Sequence, residues 1–154
     1  MVSIIFSESI ILISSIVLAA AFSGIILSKT GVFESVFTSI TSRQKEVMLT
    51  DIKIIYVTNI NSTSVKAWVK NIGSAPITDL DSVDIYFGRI NSAMLIPYNA
   101  INTPRWIYSD TSIWKQTDTK EIIINTGSVI ANDVYLLKII TPNGVSDEYI
   151  FTPL

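Results

Sequence analysis

The chain has 154 residues, 49 % hydrophobic and 16 % charged, with a formal net charge of −2. An average soluble protein is about one quarter charged, so the surface is poor in ions, and nothing basic is left over for a nucleic-acid partner. Cysteine and histidine are both absent, which removes disulfides, thiol nucleophiles, imidazole bases and the usual zinc ligands, and no cofactor is expected.

The first element is a stem. From Ile10 to Leu27 no residue is charged, and Ile4 to Leu27 is interrupted only by Glu8. About 20 apolar residues in a helix cross a bilayer core. A cleaved export signal has a basic start and a shorter apolar core. Here no Lys or Arg precedes the run, and Phe22, Ile25 and Leu27 continue it beyond Ala19-Ala20-Ala21. The reading is a retained transmembrane helix over residues 1–28, in contact with membrane lipid. Small residues recur every fourth position, as Ser15, Ala19 and Ser23 and again as Ala20, Gly24 and Ser28. Such spacing lets two helix backbones approach closely where lipid gives helices no hydrophobic reason to associate; alternatively, these residues are simply tolerated in a span.

Residues 29–48 turn amphipathic, with Val32, Phe33, Val36, Phe37 and Ile40 at helical spacing. They predict a helical stalk that continues the stem, bent at Gly31. Phe33, Val36 and Phe37 are its packing residues, against either its own domain or another subunit's stalk. The nearest basic residues, Lys29, Arg43 and Lys45, follow the span, and the positive-inside rule alone would keep the remainder cytoplasmic. The character of the following domain favours the outside.

From residue 49 to 154 the pattern is β. Ser64–Lys70 alternates, with Val65, Ala67 and Val69 on one face and Lys66, Trp68 and Lys70 on the other. Asp51–Thr58 alternates loosely. Further strands are predicted over Val83–Gly88, Ala93–Ile96, Arg105–Tyr108, Lys120–Asn125, Asp133–Thr141 and Val145–Thr152, separated by turn signals. Pro142-Asn143-Gly144 predicts a hairpin, because Asn-Gly accepts positive φ. Many short strands without helical pattern give an immunoglobulin-like antiparallel β-sandwich, although the Cys and Trp signature of antibody domains is missing and the strand order stays open.

Little in the chain speaks of catalysis. Asp79, Asp81 and Asp84 place three carboxylates within six residues, the donor type calcium prefers, but without the interspersed glycine and terminal glutamate of an EF-hand loop. Without His or Cys a nucleophile would need a Ser-Lys or Thr arrangement, and no Gly-x-Ser-x-Gly occurs. The expectation is a non-enzymatic protein with no metal site. Asn61-Ser62-Thr63 is an N-glycosylation triplet in a predicted surface turn. Trp106 and Trp114 lie in a Thr-rich stretch and are candidate partner contacts, since Trp is enriched at interface hot spots; burial in the core is the other use of such residues.

The start SESIILISSIVLAAAFSGIIL and the stretch VKNIGSAPITDLDSVDIYFG, Val69 to Gly88, together resemble the archaellum accessory proteins FlaG and FlaF, and FlaG more closely. That resemblance implies a helix in the cytoplasmic membrane and a sandwich in the pseudo-periplasm beneath the surface layer. It implies pairing with a homologous FlaF-like sandwich, binding to a surface-layer protein, homo- or hetero-oligomers, and a stator role in motility. No family residue is carried over by position. Archaellins and archaeal pilins share the helix-then-β plan, but their precursors have a basic residue and glycine before the helix. No such pair stands here, and a filament subunit is therefore the alternative reading.

Overall fold

In the computed structural model, residues 2–153 are described, with side chains from Phe6 onward; Met1 and Leu154, the outer ends of the predicted stem and domain, lie outside the described residues. One helix, α1 (Val2–Leu49), is followed by eight strands. The chain divides into two compact units, residues 1–42 and 43–154.

In the first unit α1 runs unbroken through Gly31. Each described side chain on it is exposed, and apolar residues ring the helix on every side between Ile10 and Leu27. Phe6–Leu49 is long and apolar enough to cross a membrane; at 1.5 Å per residue its 44 residues extend about 66 Å, twice a bilayer core. Several hydroxyls within it bond back to the helix itself. Ser15 Oγ donates to Leu12 O at 2.8 Å, Ser23 Oγ to Ala19 O at 2.9 Å and Thr30 Oγ1 to Ile26 O at 2.9 Å. Such back-bonding satisfies these hydroxyl protons in an apolar medium.

The second unit is a sandwich of β1 (Ile52–Asn61), β2 (Ser64–Asn71), β3 (Asp84–Arg89), β4 (Met94–Ile96), β5 (Arg105–Tyr108), β6 (Thr119–Asn125), β7 (Tyr135–Ile140) and β8 (Ser146–Phe151). Each predicted strand is present, with ends shifted by three residues at most. Two four-stranded antiparallel sheets form, in the orders β1-β2-β6-β5 and β4-β3-β7-β8. This is the immunoglobulin arrangement, an ABED sheet facing a GFC sheet, with one extra strand beside C.

Alternation builds the core. Val65, Ala67 and Val69 of β2 and Ile122 and Ile124 of β6 face Ile85, Phe87, Leu137 and Ile139 of the other sheet, all buried. The loose alternation of β1 has a cause: the β1–β2 register slips between Ile54 and Tyr56. That bulge turns Ile55 and Tyr56 outward while Ile54 and Val57 stay inside. Asp147 of β8 closes the adjacent edge, accepting from the Ile54 N–H at 2.8 Å and from Lys53 Nζ at 2.9 Å, which occupies a backbone donor that an edge strand would otherwise offer to another chain.

Where antibody domains have a disulfide, this fold has aliphatic packing and a tyrosine corner. Tyr135, at the start of β7, accepts the Ala131 N–H with its phenolic oxygen at 3.1 Å and stacks on Phe87, centroids 5.5 Å apart. Leu137, two residues on, stands fully buried where a bridged cysteine stands in antibodies. The hairpin predicted at Pro142-Asn143-Gly144 joins β7 to β8, but only Gly144 takes positive φ, at 90°. Gly144 N–H donates to Thr141 O and Thr141 N–H to Val145 O, both at 2.8 Å. This is the three-residue form, a turn followed by a left-handed glycine, rather than a two-residue Asn-Gly turn.

Candidate functional site: the fastening of the helix end to the sandwich

A helix leaves its last four carbonyls without intrahelical donors. Within the second unit, Leu49 O at the end of α1 and Asp51 O just beyond it are the acceptors, and the loop after β2 supplies donors. Leu49 O accepts from Ser74 N–H at 2.8 Å and Ala75 N–H at 2.9 Å, and Asp51 O accepts from the N–H groups of Ile72 and Gly73, both at 2.9 Å. Four successive amides thus grip two carbonyls at the point where the helix becomes β1.

The sequence Asn71-Ile-Gly-Ser-Ala-Pro76 makes that grip rigid. Asn71 is fully buried. Its Nδ2 donates to Ala75 O at 2.9 Å and Trp114 O at 3.1 Å, and its Oδ1 accepts from Gly73 N–H at 3.0 Å. A buried amide satisfied on both ends acts as a pin, since any displacement leaves polar atoms unpaired in a dry interior. Gly73 has no room for a side chain. A Cβ there would strike Asp51 N and come within 2.5 Å of Leu49 O and 2.9 Å of Thr50 C, all of them backbone atoms.

The β7–β8 turn grips the other side. Asn143 Nδ2 donates to Thr50 Oγ1 at 2.7 Å and approaches Glu46 O at 3.5 Å, while Thr50 Oγ1 donates to Glu46 O at 2.8 Å. The buried Thr141 hydroxyl lies 2.6 Å from Asn143 Oδ1 and orients that amide.

The candidate residues from the sequence are distributed as follows. Ala20, Gly24 and Ser28 stand exposed on α1, and a Cβ added at Gly24 would meet nothing within 4 Å. Phe33, Val36 and Phe37 are also exposed, on the stretch read as the stalk. Asn61 ends β1 at an exposed hairpin.

Trp106 and Trp114 are not placed as partner contacts. They are 1 % and 0 % exposed. Trp106 packs between Tyr98 and Tyr108, with centroids at 4.7 and 4.8 Å. Trp114 bridges to Ile77 and donates its indole N–H to Asp118 O at 2.9 Å. The polar residues around them suggested a surface loop, whereas burying two indoles outweighs the solvation of the threonines beside them. The exposed edge of the third indole, Trp68, is taken up by stacking on Tyr56 and by Lys66 Nζ, 5.6 Å from the ring centre.

The acidic stretch is also structural. Leu80 and Val83 plug the core while Asp79, Asp81 and Asp84 face solvent, and among the described residues no group of three or more acidic side chains converges to hold a metal ion. Asp81 stands beside Tyr98 and Tyr108, and burial, with that carboxylate nearby, raises the Tyr108 phenol above its ordinary range. Lys120 is a buried cation that the sequence reading passed over. It donates to Asp110 Oδ2 and Ser112 Oγ at 2.8 Å and to Asp110 O at 3.1 Å. The hydrogen bond from Lys120, followed by those from Ser112, holds the Asp110 carboxyl far below the usual carboxylate range. Its signal was a lysine at an inward position of an alternating strand, Thr119–Asn125. Asn71 and Tyr135 were signalled less clearly, by Asn-x-Gly after a strand and Tyr-x-Leu at the start of one.

An apolar helix running into an immunoglobulin-type sandwich that holds the helix end by buried amides defines a class of helix-borne structural subunits. Residues 3–151 match the model of the archaeal-type flagellin family; the chain belongs to that family. Among solved structures it is similar to the archaellum periplasmic stator protein FlaG from Sulfolobus acidocaldarius, 32 % identical over 67 % of this chain and 100 % of that one, with a TM-score of 0.64. The archaellum periplasmic stator protein complex FlaF and FlaG from Sulfolobus acidocaldarius is also similar, at 32 % identity over 67 % of this chain and 90 % of that one, TM-score 0.63. The archaeal flagellin FlaB1 from Methanocaldococcus jannaschii shares the fold alone, at 11 % identity over 68 % of this chain and 90 % of that one, TM-score 0.53. No curated protein sequence matches.

Proposed function

We propose that this chain is a non-enzymatic structural subunit of the archaellum, anchored in the cytoplasmic membrane, with a sandwich outside it that pairs with a FlaF-like sandwich as part of the stator. The observation that carries this reading is 32 % identity along the whole solved length of a periplasmic stator protein, supported by the solved complex of that protein with FlaF. Residues 1–28 are the span, 29–48 the stalk and 49–154 the body. The small-residue face Ala20, Gly24, Ser28 and the stalk residues Phe33, Val36 and Phe37 are surfaces for neighbouring helices. Beyond the sister sandwich, the surface layer is the second partner of the body.

A stator subunit needs stiffness rather than chemistry. Load reaching Leu49 and Thr50 passes into the sandwich through four backbone amides, Asn71 and Asn143, every one of them bonded. Buried hydrogen-bonded networks resist displacement because each broken bond strands a polar group.

The test uses the full chain in an archaeal host. It should remain in carbonate-washed membranes with its first residues intact, and crosslinking should recover a FlaF-like sandwich or a surface-layer protein. Recovery in the soluble fraction without the stem would overturn the reading. The alternative is a filament subunit, favoured by a family match that takes in helix and sandwich together; there the protein would pellet with sheared filaments, carrying a trimmed start and crosslinking only to itself.

A further inference from the structure

We propose that the end of the sandwich remote from Thr50 is a docking cap. Its cavity takes one apolar side chain, of Leu, Ile or Phe size, presented on a charge-free segment of a protein that lies farther from the membrane than the sandwich. The inference deepens the anchored, outward-facing reading above and rests on it.

Three stretches of the chain contain no charged residue, 54–65, 90–104 and 122–132, and the fold gathers their ends in one place. Asn125 pairs with Ser64 on one side and with Arg105 on the other. Ile130 N–H donates to Ser62 O at 2.7 Å, and Arg89 at the end of β3 lies opposite Tyr135 at the start of β7. The charges that border this end are matched within the chain, Arg89 Nε with Asp133 Oδ2 at 3.0 Å and Arg105 Nη1 with Ala100 O at 3.3 Å. Thr50, where the chain enters, is at the opposite end, because β1 runs from Ile52 there to Asn61 here.

A cavity of about 210 Å³ opens in the cap. Phe87 and Tyr135, stacked on each other, form one wall, Ile96, Pro104 and Ile130 line the remainder, and no lining residue is charged. The Thr126 hydroxyl beside it already donates to Thr63 O at 2.9 Å. An apolar cavity of about 150 Å³ takes up a guest the size of benzene, so this one has room for a Leu, Ile or Phe side chain. Its mouth is apolar as well. Met94 is 59 % exposed, Val129 74 %, and Ile101 on the adjoining loop 95 %. Clustered exposed apolar residues mark binding surfaces, and an anchor side chain in a pocket with a water-excluding surround is the arrangement that carries most binding energy.

Charge decides the class of occupant. A carboxylate or ammonium brought against this cap loses its water and meets no counter-ion, so the facing segment is charge-free too. A second copy meeting this one cap to cap would put the two Thr50 ends at opposite extremes of the pair, which two chains anchored in one membrane do not allow. The occupant therefore belongs to a protein beyond the sandwich.

The experiment uses the full chain in an archaeal host, with photoreactive benzoyl-phenylalanine in place of Asn91 on the exposed turn between β3 and β4. Irradiation of intact cells should attach it to a different envelope protein, within a charge-free stretch and beside Val, Leu, Ile or Phe, as read by mass spectrometry of the crosslinked peptides. Burying one such side chain shifts binding by about tenfold or more. Ser128→Leu, which plugs the cavity, and Met94→Lys, which charges its mouth, should each cut the yield by that factor, and either one suffices if its urea midpoint is that of the wild type. Attachment to a second copy or to the FlaF-like sandwich, attachment within a charged stretch, or a yield that neither variant lowers would overturn the proposal. Because the chain lacks cysteine, Ile113→Cys, 51 % exposed on the loop that Trp114 ties to Ile77, gives a single site for a membrane-impermeant maleimide on intact cells. Labelling there without a crosslink at the cap would overturn the cap and leave the outward placement standing. Absence of both would overturn the placement, and the cap with it.

Discussion

Replacing Asn71 by Ala tests the pin beneath the helix end. Three side-chain hydrogen bonds disappear, but their partners do not suffer equally. Gly73 N–H still reaches Asp51 O, and Trp114 O still accepts from the Ile77 N–H at 3.0 Å. Ala75 O loses the donor that Asn71 gave it, at a part-buried position. At about 1 kcal/mol net per bond, with more for a stranded carbonyl, the loss comes to about 2–4 kcal/mol. The three tryptophans sit at positions 68, 106 and 114, all in the sandwich, so their fluorescence follows its unfolding in urea even with α1 held in a detergent micelle. With a urea dependence of about 1–3 kcal/mol per molar, the midpoint should fall by about 1–2 M. Asn71→Asp sharpens the test, since at neutral pH it turns a carboxylate toward the carbonyls of Ala75 and Trp114. Its folded-state pKa would rise above the unfolded value of about 3.9. The penalty is therefore small below that pH, grows as pH rises through the folded value, and exceeds that of the Ala variant at pH 7. A loss under about 1 kcal/mol for Asn71→Ala, or an Asp variant no worse than Ala at pH 7, would refute the pin.

Further predictions concern the same unit. Gly73→Ala forces a methyl onto the backbone of Leu49, Thr50 and Asp51 and should cost about 1–3 kcal/mol in the same assay; a neutral effect would mean that the close approach is not maintained. Trp114→Ala empties a site fully closed to solvent and should destabilise the sandwich by about 3–5 kcal/mol, whereas a partner-contact role would leave the urea midpoint unchanged and weaken only crosslinking. For Asp110, whose carboxyl is held far below its usual range by Lys120 and Ser112, the stabilisation is present above the unfolded pKa and lost as pH falls through the folded one. The midpoint difference between wild type and Asp110→Asn should be constant from pH 7 to about 5 and shrink only below about 4, and a difference already gone at pH 5 would contradict the pairing. A charge introduced at Ala20 or Gly24 should weaken stem self-association in membranes, read as loss of crosslinked dimer, and unchanged crosslinking would remove that face as a packing surface.

Local chemistry wrote most of the framework directly into the chain. A run without charge from Ile10 to Leu27 can be little but an apolar helix, and period-two alternation with turn residues between fixes where strands begin and end, because both signals depend on neighbours along the sequence. The bulge at Ile55 blurred one strand and the left-handed Gly144 changed one turn, yet neither altered the order of elements. Strand pairing, the partners of buried polar groups and the fate of the aromatics depend instead on residues far apart in the sequence. Asn71 is a pin only because Trp114 arrives 43 positions later, Lys120 is tolerable inside only because Asp110 and Ser112 fold over it, and Trp106 and Trp114 are core only because two sheets close around them. Periodicity states which side of a strand is apolar, whereas what that side meets is decided when the sheets pack.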